Sequence, residues 1–165
     1  MPIGPFEQSI PNEVLRTVTE VVPRLEVRDI RLVNLACGLT APPPPAGSVN
    51  IDLSHTVKVE LVEGNVLAVQ VHYSLKANPG GADGSPFLTM SVVFQLLYDG
   101  ENLASITQDK LQTFGDINGV HNAWPYFREV VQNMATRMGL PALTVPLLKI
   151  RRPKPADNAP APNTN

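Results

Sequence analysis

The sequence predicts an α+β fold: a four-stranded antiparallel sheet with helices packed on one face, plus an extra N-terminal helix. Three observations carry this. Residues 49–61, within a strand read over 49–63, alternate between an apolar face, on which His55 also falls, and a polar one. Residues 66–76 and 87–98 repeat that alternation after turn-forming residues. Residues 125–138 then change to helical spacing between a proline and a glycine. A period of two marks a strand with one buried and one wet face, and a period near 3.6 marks a helix. Strands gathered before a helix, rather than alternating with helices, sort into the α+β class.

Each element follows from its own pattern. Val14, Leu15, Val18, Val21 and Val22 share one helical face over 12–22, with Asn12 as N-cap, Glu13 in the first turn and Pro23 as the stop. Leu25 to Leu35 reads as a first strand whose alternation slips near Asp29–Ile30, the mark of a bulge or an edge. The run Pro42–Pro45 favours a stiff polyproline II connector, either a spacer or a docking motif. The clearest strand is 49–63, with Ile51, Leu53, His55, Val57, Val59 and Leu61 on one face. Glu63-Gly64-Asn65 turns it into a partner at 66–76, and together they make a long hairpin. A loop over 78–86 leads to a fourth strand, Phe87 to Tyr98, which Asp99-Gly100 turns. A short helix follows at 107–114 with Leu111 and Phe114 inward. In the last helix Pro125 suits the first turn, Phe127, Val130, Val131, Met134 and Met138 share a face, and Gly139 and Pro141 end it. The domain is expected over 1–150. Residues 151–165, rich in Pro, Ala and Asn, are expected to form a disordered tail.

Composition limits the function. The 165 residues suit one domain, and a net charge of −2 with 5% aromatics offers neither a basic field nor a stacking platform for nucleic acid. One cysteine, Cys37, forms no internal disulfide and cannot begin a Cys–His metal array. The start of the chain lacks the basic and apolar regions of a signal peptide, and no apolar run reaches the ~20 residues that span a bilayer. A cytoplasmic protein without direct membrane insertion is the expectation. No catalytic residue, metal site or cofactor is assigned. His55 falls on the apolar face of its strand and His72 on the polar face of its neighbour, so they do not share a site. His121 stands near Asp116 and Asn118 in what reads as a Gly-rich turn entering the last helix. Asp52, Glu60 and Glu63 lie on or beside the polar face of the hairpin, as a solvated face or an acidic docking face.

Residues 124–146 read WPYFREVVQNMATRMGLPALTVP. This resembles the C-terminal signature of SecB-type chaperones, an aromatic residue followed by Pro-Tyr-x-Arg-Glu, a helix with a further Arg, and a proline-containing exit. Pro125, Tyr126, Arg128, Glu129, Arg137 and Pro141 occupy those places, and the resemblance extends over roughly 25–148. It implies a homo-oligomer, dimer or tetramer, that holds unfolded or pre-export polypeptide clients in an apolar groove without ATP. By position, Leu111, Phe114, Trp124, Tyr126, Phe127 and Met134 are its candidates for the peptide-binding groove. In export chaperones the client passes to the SecA motor at an acidic sheet face. Two departures leave SecA open here. The helix at 12–22 is an addition, and Lys149, Arg151, Arg152 and Lys154 stand where an acidic tail is usual. A chaperone dedicated to one client, a non-catalytic adaptor and a small hot-dog-like enzyme remain as alternatives.

Overall fold

The computed structural model describes residues 6–44, 49–80, 85–141 and 143–151. Pro45, the centre of the 78–86 loop and the tail from 152 onward lie outside the described residues. The chain runs β1 (Phe6–Ser9), α1 (Asn12–Val21), β2 (Leu25–Leu39), β3 (Val49–Val62), β4 (Val66–Pro79), β5 (Leu88–Gly100), α2 (Gln108–Phe114), α3 (Val120–Arg137) and β6 (Leu148–Arg151). The main sheet has the order β2-β5-β4-β3 and is antiparallel throughout. This is the expected α+β architecture, with α2 and α3 packed on one face of the four strands.

The alternation seen in the sequence sets the layers. Leu67, Val69, Val71, Tyr73 and Leu75 of β4 and Leu88, Met90, Val92, Phe94, Leu96 and Tyr98 of β5 are all buried under the helices. Each such side chain contributes about 1.5–3 kcal/mol of transfer free energy, so the two central strands hold most of the core. The hairpin closes in register from Val49↔Pro79 to Val62↔Val66. Its turn places Glu63 at φ 53° and Gly64 at φ 75°, the paired left-handed conformation that matches the twist of the strands.

β2 is an edge strand, and its register shifts between Val27/Asp29 and between Leu32/Asn34. The slip in the sequence thus marks both an edge and a bulge, and the strand runs four residues past the expected Leu35. β4 likewise runs through Asn78 to Pro79, and β5 to Gly100.

Four expectations are corrected. Pro11, not Asn12, stands at the start of α1, where its carbonyl accepts from Leu15 N at 3.1 Å and no side chain caps the helix. Two short strands, β1 and β6, pair in parallel at the two ends of the domain, and four residues are too few to show a period of two. Residues 115–119 form a π-turn, not a Gly-rich loop, so α2 and α3 make one continuous bent element. Pro125 therefore lies inside α3, which starts at Val120. The amide that Pro125 lacks would face the carbonyl of His121. Both residues are exposed, so water can serve that carbonyl and the interior proline is tolerated. The C-terminal stop is as expected. Gly139 has φ 71°, its N–H donates to Thr136 O at 3.1 Å, and Leu140 N donates to Ala135 O at 3.0 Å, a Schellman arrangement.

Two glycines set the depth at which the helices sit. A Cβ on Gly115 would stand 2.3 Å from Val59 Cγ2, and one on Gly119 would stand 2.7 Å from Val69 Cγ1. The π-turn backbone rests directly on the sheet there. Gly115→Ala is expected to destabilise the protein by about 1–3 kcal/mol through overpacking. Gly38→Ala, with nothing within 4 Å, serves as control. Equal urea midpoints for the two variants would contradict this packing.

Candidate functional site

Helix α3 lies on the sheet through a cluster of rings centred on Tyr73. Phe127 stacks on Tyr73 at 4.4 Å between centroids, while Trp124 and Phe94 meet it edge-on at 5.8 and 6.4 Å. The Tyr73 hydroxyl donates to Val120 O at 2.8 Å, fixing the first turn of α3 over β4. Burial pushes the Tyr73 phenol well above its ordinary pKa, so it remains a neutral donor. The neighbouring Tyr98 hydroxyl accepts from Asn122 Nδ2 at 3.1 Å, and burial raises its pKa to about 12.

Two side chains of α3 also hold the chain that follows it. Trp124 Nε1 donates to Pro146 O at 2.9 Å and Arg128 Nε donates to Val145 O at 2.7 Å. Trp124 is buried at 3% exposure. These two signature residues clamp the exit strand and thereby place β6 beside β1.

The six groove candidates divide by position. Leu111, Phe114, Trp124 and Phe127 are buried in the main core, whereas Tyr126 is 45% exposed and Met134 is half-buried. Tyr126 leans on Phe94 at 6.3 Å. Phe94 pairs with Leu32 of the edge strand, which is 44% exposed. Val27, Val33 and Leu39 on β2 are exposed to a similar degree. Tyr126 and Leu32, on either side of Phe94, are therefore apolar side chains left uncovered near the border of α3 and the edge strand, while Val27 and Leu39 are uncovered toward its two ends. An apolar cavity of about 140 Å³ opens elsewhere, at the far end of the sheet. It lies between the proline connector (Pro43, Pro44), the starts of β3 and β5 (Val49, Ile51, Phe87, Leu88) and the segment after α3 (Leu140, Pro141, Leu143). Sequence reasoning missed this cavity. The prolines and Leu140 marked only spacing and helix stop, and nothing in their order shows that three separate segments converge.

The outer face of the sheet carries Asp52, Glu60 and, in the turn, Glu63, all exposed. Asp52 stands opposite Lys76 and accepts from Asn78 Nδ2 at 2.9 Å, and Glu60 is two residues from Lys58 on the same face. Farther across, Asp99 is paired with Arg28, and Asp29 with Arg31. Asp52, Glu60, Asp99 and Asp29 thus each have a basic neighbour, and Glu63 stands in the turn at the end of the hairpin.

The histidines are separated as the alternation implies. His55 points to the helix side, 6.2 Å from the Tyr73 ring, and its pKa is lowered by burial, partly opposed by Asp116. His72, on the outer face, lies 2.9 Å from Ser91 Oγ through Nε2. His121 is exposed on α3. Cys37 is half-buried, its thiol 3.4 Å from Met138 Sδ and its pKa raised by burial.

No family model matches the chain. Two curated relatives in Mycobacterium tuberculosis, the SecB-like chaperones MT2006 and Rv1957, are 26% identical over 159 residues, covering 87% of this chain and 87% of each relative. The solved structure of the Rv1957 SecB-like chaperone, in complex with a ChAD peptide from the Rv1956 HigA1 antitoxin, superposes with a TM-score of 0.72. It is 24% identical and covers 82% of this chain and 99% of that one. The chain is thus similar to SecB-like chaperones in sequence and shares their fold. The SecB-like signature over 124–146 acts here largely as architecture: its aromatic residue and first arginine tie down the exit strand, and its Gly139 closes the helix.

Two measurements check this geometry. Trp124→Phe keeps the ring and loses the donor to Pro146, and is expected to cost about 1–2 kcal/mol in chemical denaturation. Unchanged stability would remove the clamp. His55 is expected to contribute to the pH dependence of stability. Its folded-state pKa lies below the unfolded value, so the unfolded chain binds the proton more readily. Its contribution is full above the unfolded pKa, about 6.5, and is lost as pH falls from there through the lower folded value. The melting temperature of the parent should fall more between pH 7 and 5 than that of His55→Gln, whereas parallel curves would show that His55 is not the group responsible.

Proposed function

We propose that this SecB-like chain is a chaperone that holds non-native polypeptide on apolar surface, without nucleotide and without catalysing a reaction. The observation that carries the reading is the uncovered apolar side chains of Tyr126, Leu32, Val27 and Leu39 beside the edge strand, together with the apolar cavity at the far end of the sheet, in a chain whose relatives are SecB-like chaperones. Large apolar side chains left exposed along an edge strand are surface that a client or a second copy can cover. A homo-oligomer is part of the reading, since a second copy can cover the β2 side. Tyrosine and methionine at the rim adapt to varied side chains.

A second reading has its own support. The solved relative Rv1957 holds a peptide from an antitoxin, which favours a chaperone dedicated to one client over a general one. Handover to SecA has less support here, because basic side chains stand beside Asp52, Glu60, Asp99 and Asp29 on the outer sheet face. No helix among the described residues is long and apolar enough to cross a membrane, which agrees with a cytoplasmic place for such a chaperone.

The test is aggregation of several unrelated refolding proteins with stoichiometric amounts of this chain and no ATP. Suppression across all of them supports the general holdase, and suppression of none removes it in favour of a dedicated client. Tyr126→Ser is expected to weaken holding several-fold while moving the melting temperature by no more than about 2 °C, as for other exposed substitutions. Phe127→Ala, at a fully buried site, is expected to cost about 3–5 kcal/mol of stability instead. If both variants lose only stability, Tyr126 does not touch clients.

A further inference from the structure

The two edges of the main sheet are treated differently. β2 is broken by its two register shifts and carries Arg28, Asp29 and Arg31. β3 pairs without a break along its whole length and, among the described residues, has only β4 beside it. A regular strand of this kind presents a row of outward N–H and C=O groups that other chains can add to.

Two side chains of α2 reach that row. Gln108 Nε2 donates to Val59 O and Gln112 Nε2 donates to Val57 O, each at 3.3 Å. The second Nε2 hydrogen of Gln112 goes to Asp116 Oδ1 at 2.9 Å. That carboxylate can only accept when ionised, so it fixes which way the amide points. In an antiparallel ladder the N–H and C=O of one residue face the same way, and successive residues face opposite ways. Because the carbonyls of Val57 and Val59 face outward and the register is unbroken, Val49, Ile51 and Leu53 also present their N–H and C=O outward. Among the described residues no hydrogen bond reaches the outward groups of Ile51 and Leu53. The edge is therefore covered at one end and open at the other. The open end adjoins the apolar cavity, which Val49 and Ile51 help to line.

We propose that Gln108 and Gln112 are specificity-determining residues: they guard the β3 edge at Val57 and Val59 and so confine an incoming strand to the Val49–Leu53 end. The occupant is an extended segment of non-native polypeptide with one large apolar side chain. A second folded copy fits less well, because its own strand already commits the inward side chains to its core and has none to spare for the cavity. An unfolded segment has every second side chain free, so backbone pairing supplies attachment and the cavity selects the side chain. The proposal rests on the client-holding reading and adds to it where, and over what length, a client can pair.

The experiment uses the full chain, a permanently unfolded probe (reduced, carboxymethylated α-lactalbumin) and hydrogen exchange resolved to single amides. In the parent, the probe is expected to protect the amides of Ile51 and Leu53 and leave those of Val57 and Val59 unchanged. In Gln108→Met/Gln112→Met, which keeps side-chain length without a donor, protection should extend to Val57 and Val59. Binding should tighten about fivefold, the worth of roughly one net hydrogen bond. Gln108→Ala/Gln112→Ala serves if the methionine pair fails to fold. Probe binding with Val57 and Val59 protected already in the parent, or with no protection anywhere on β3, overturns the guard and leaves the holdase reading intact. If the parent binds no probe, that reading fails, and the guard is decided by sedimentation of the variants alone: concentration-dependent self-association through the uncovered edge supports it, and a size distribution identical to the parent overturns it.

Discussion

Contact between the Tyr73 ring and helix α3 is the constraint on which the remaining structure depends. Tyr73 sits at the middle of β4, fully buried, with Phe127 stacked on it at 4.4 Å and its hydroxyl bonded to the carbonyl of Val120. A stacked pair of this kind adds about 0.5–1.5 kcal/mol beyond its buried area. Its greater effect is positional. The hydroxyl bond fixes where α3 starts and the stack fixes which face turns down. Trp124 and Arg128 then fall where they can hold Val145 and Pro146. From there the exit strand leads to β6, β6 pairs with β1, and β1 leads into α1, which packs on α2 with Glu20 and Lys110 paired at 2.5 Å. Both ends of the domain are thus placed by one ring cluster.

This ordering separates two jobs that the SecB-like signature combines. Residues of the motif that face the sheet or the exit strand are structural, whereas Tyr126, one position from Phe127 and two from Trp124, points outward by helical periodicity alone. A helix of 3.6 residues per turn cannot bury Trp124, Tyr126 and Phe127 all on one face. This stretch of α3 therefore leaves one ring exposed, that of Tyr126.

How much of this was legible in the sequence depends on the range of the interaction. Strands β3 to β5 and the stop at Gly139 were legible because alternation and left-handed turns are local properties. The bulged edge of β2 was legible for the same reason, as a break in alternation. The start of α3 was not, because Pro125 reads as a first-turn residue until the exposed side it shares with His121 is known. The π-turn was hidden because glycines at 115 and 119 usually signal a loop. Here they allow a helix backbone to rest on Val59 and Val69. The groove candidates were chosen by residue type. Type alone does not separate Phe127, buried under the sheet's central strands, from Tyr126 beside it. The apolar cavity is built by three segments distant in sequence and leaves no local trace.

A chaperone that holds extended segments, as proposed for this chain, must also avoid pairing with itself, and the two edges of the sheet are protected in different ways. β2 protects its backbone with register shifts and paired charges, Arg28 with Asp99 and Arg31 with Asp29, and leaves its apolar side chains exposed. β3 has no bulge, and it borrows protection from α2 at Val57 and Val59. Charges and bulges are permanent features of a strand, whereas a glutamine amide is neutral, long and held by one bond at each carbonyl. Because α2 is joined to α3 through the glycine-seated π-turn, the placement of those amides depends on the same ring cluster that places the exit strand. Edge protection and helix docking are therefore one structural property here, and a substitution that shifts α3 on Tyr73 also uncovers β3.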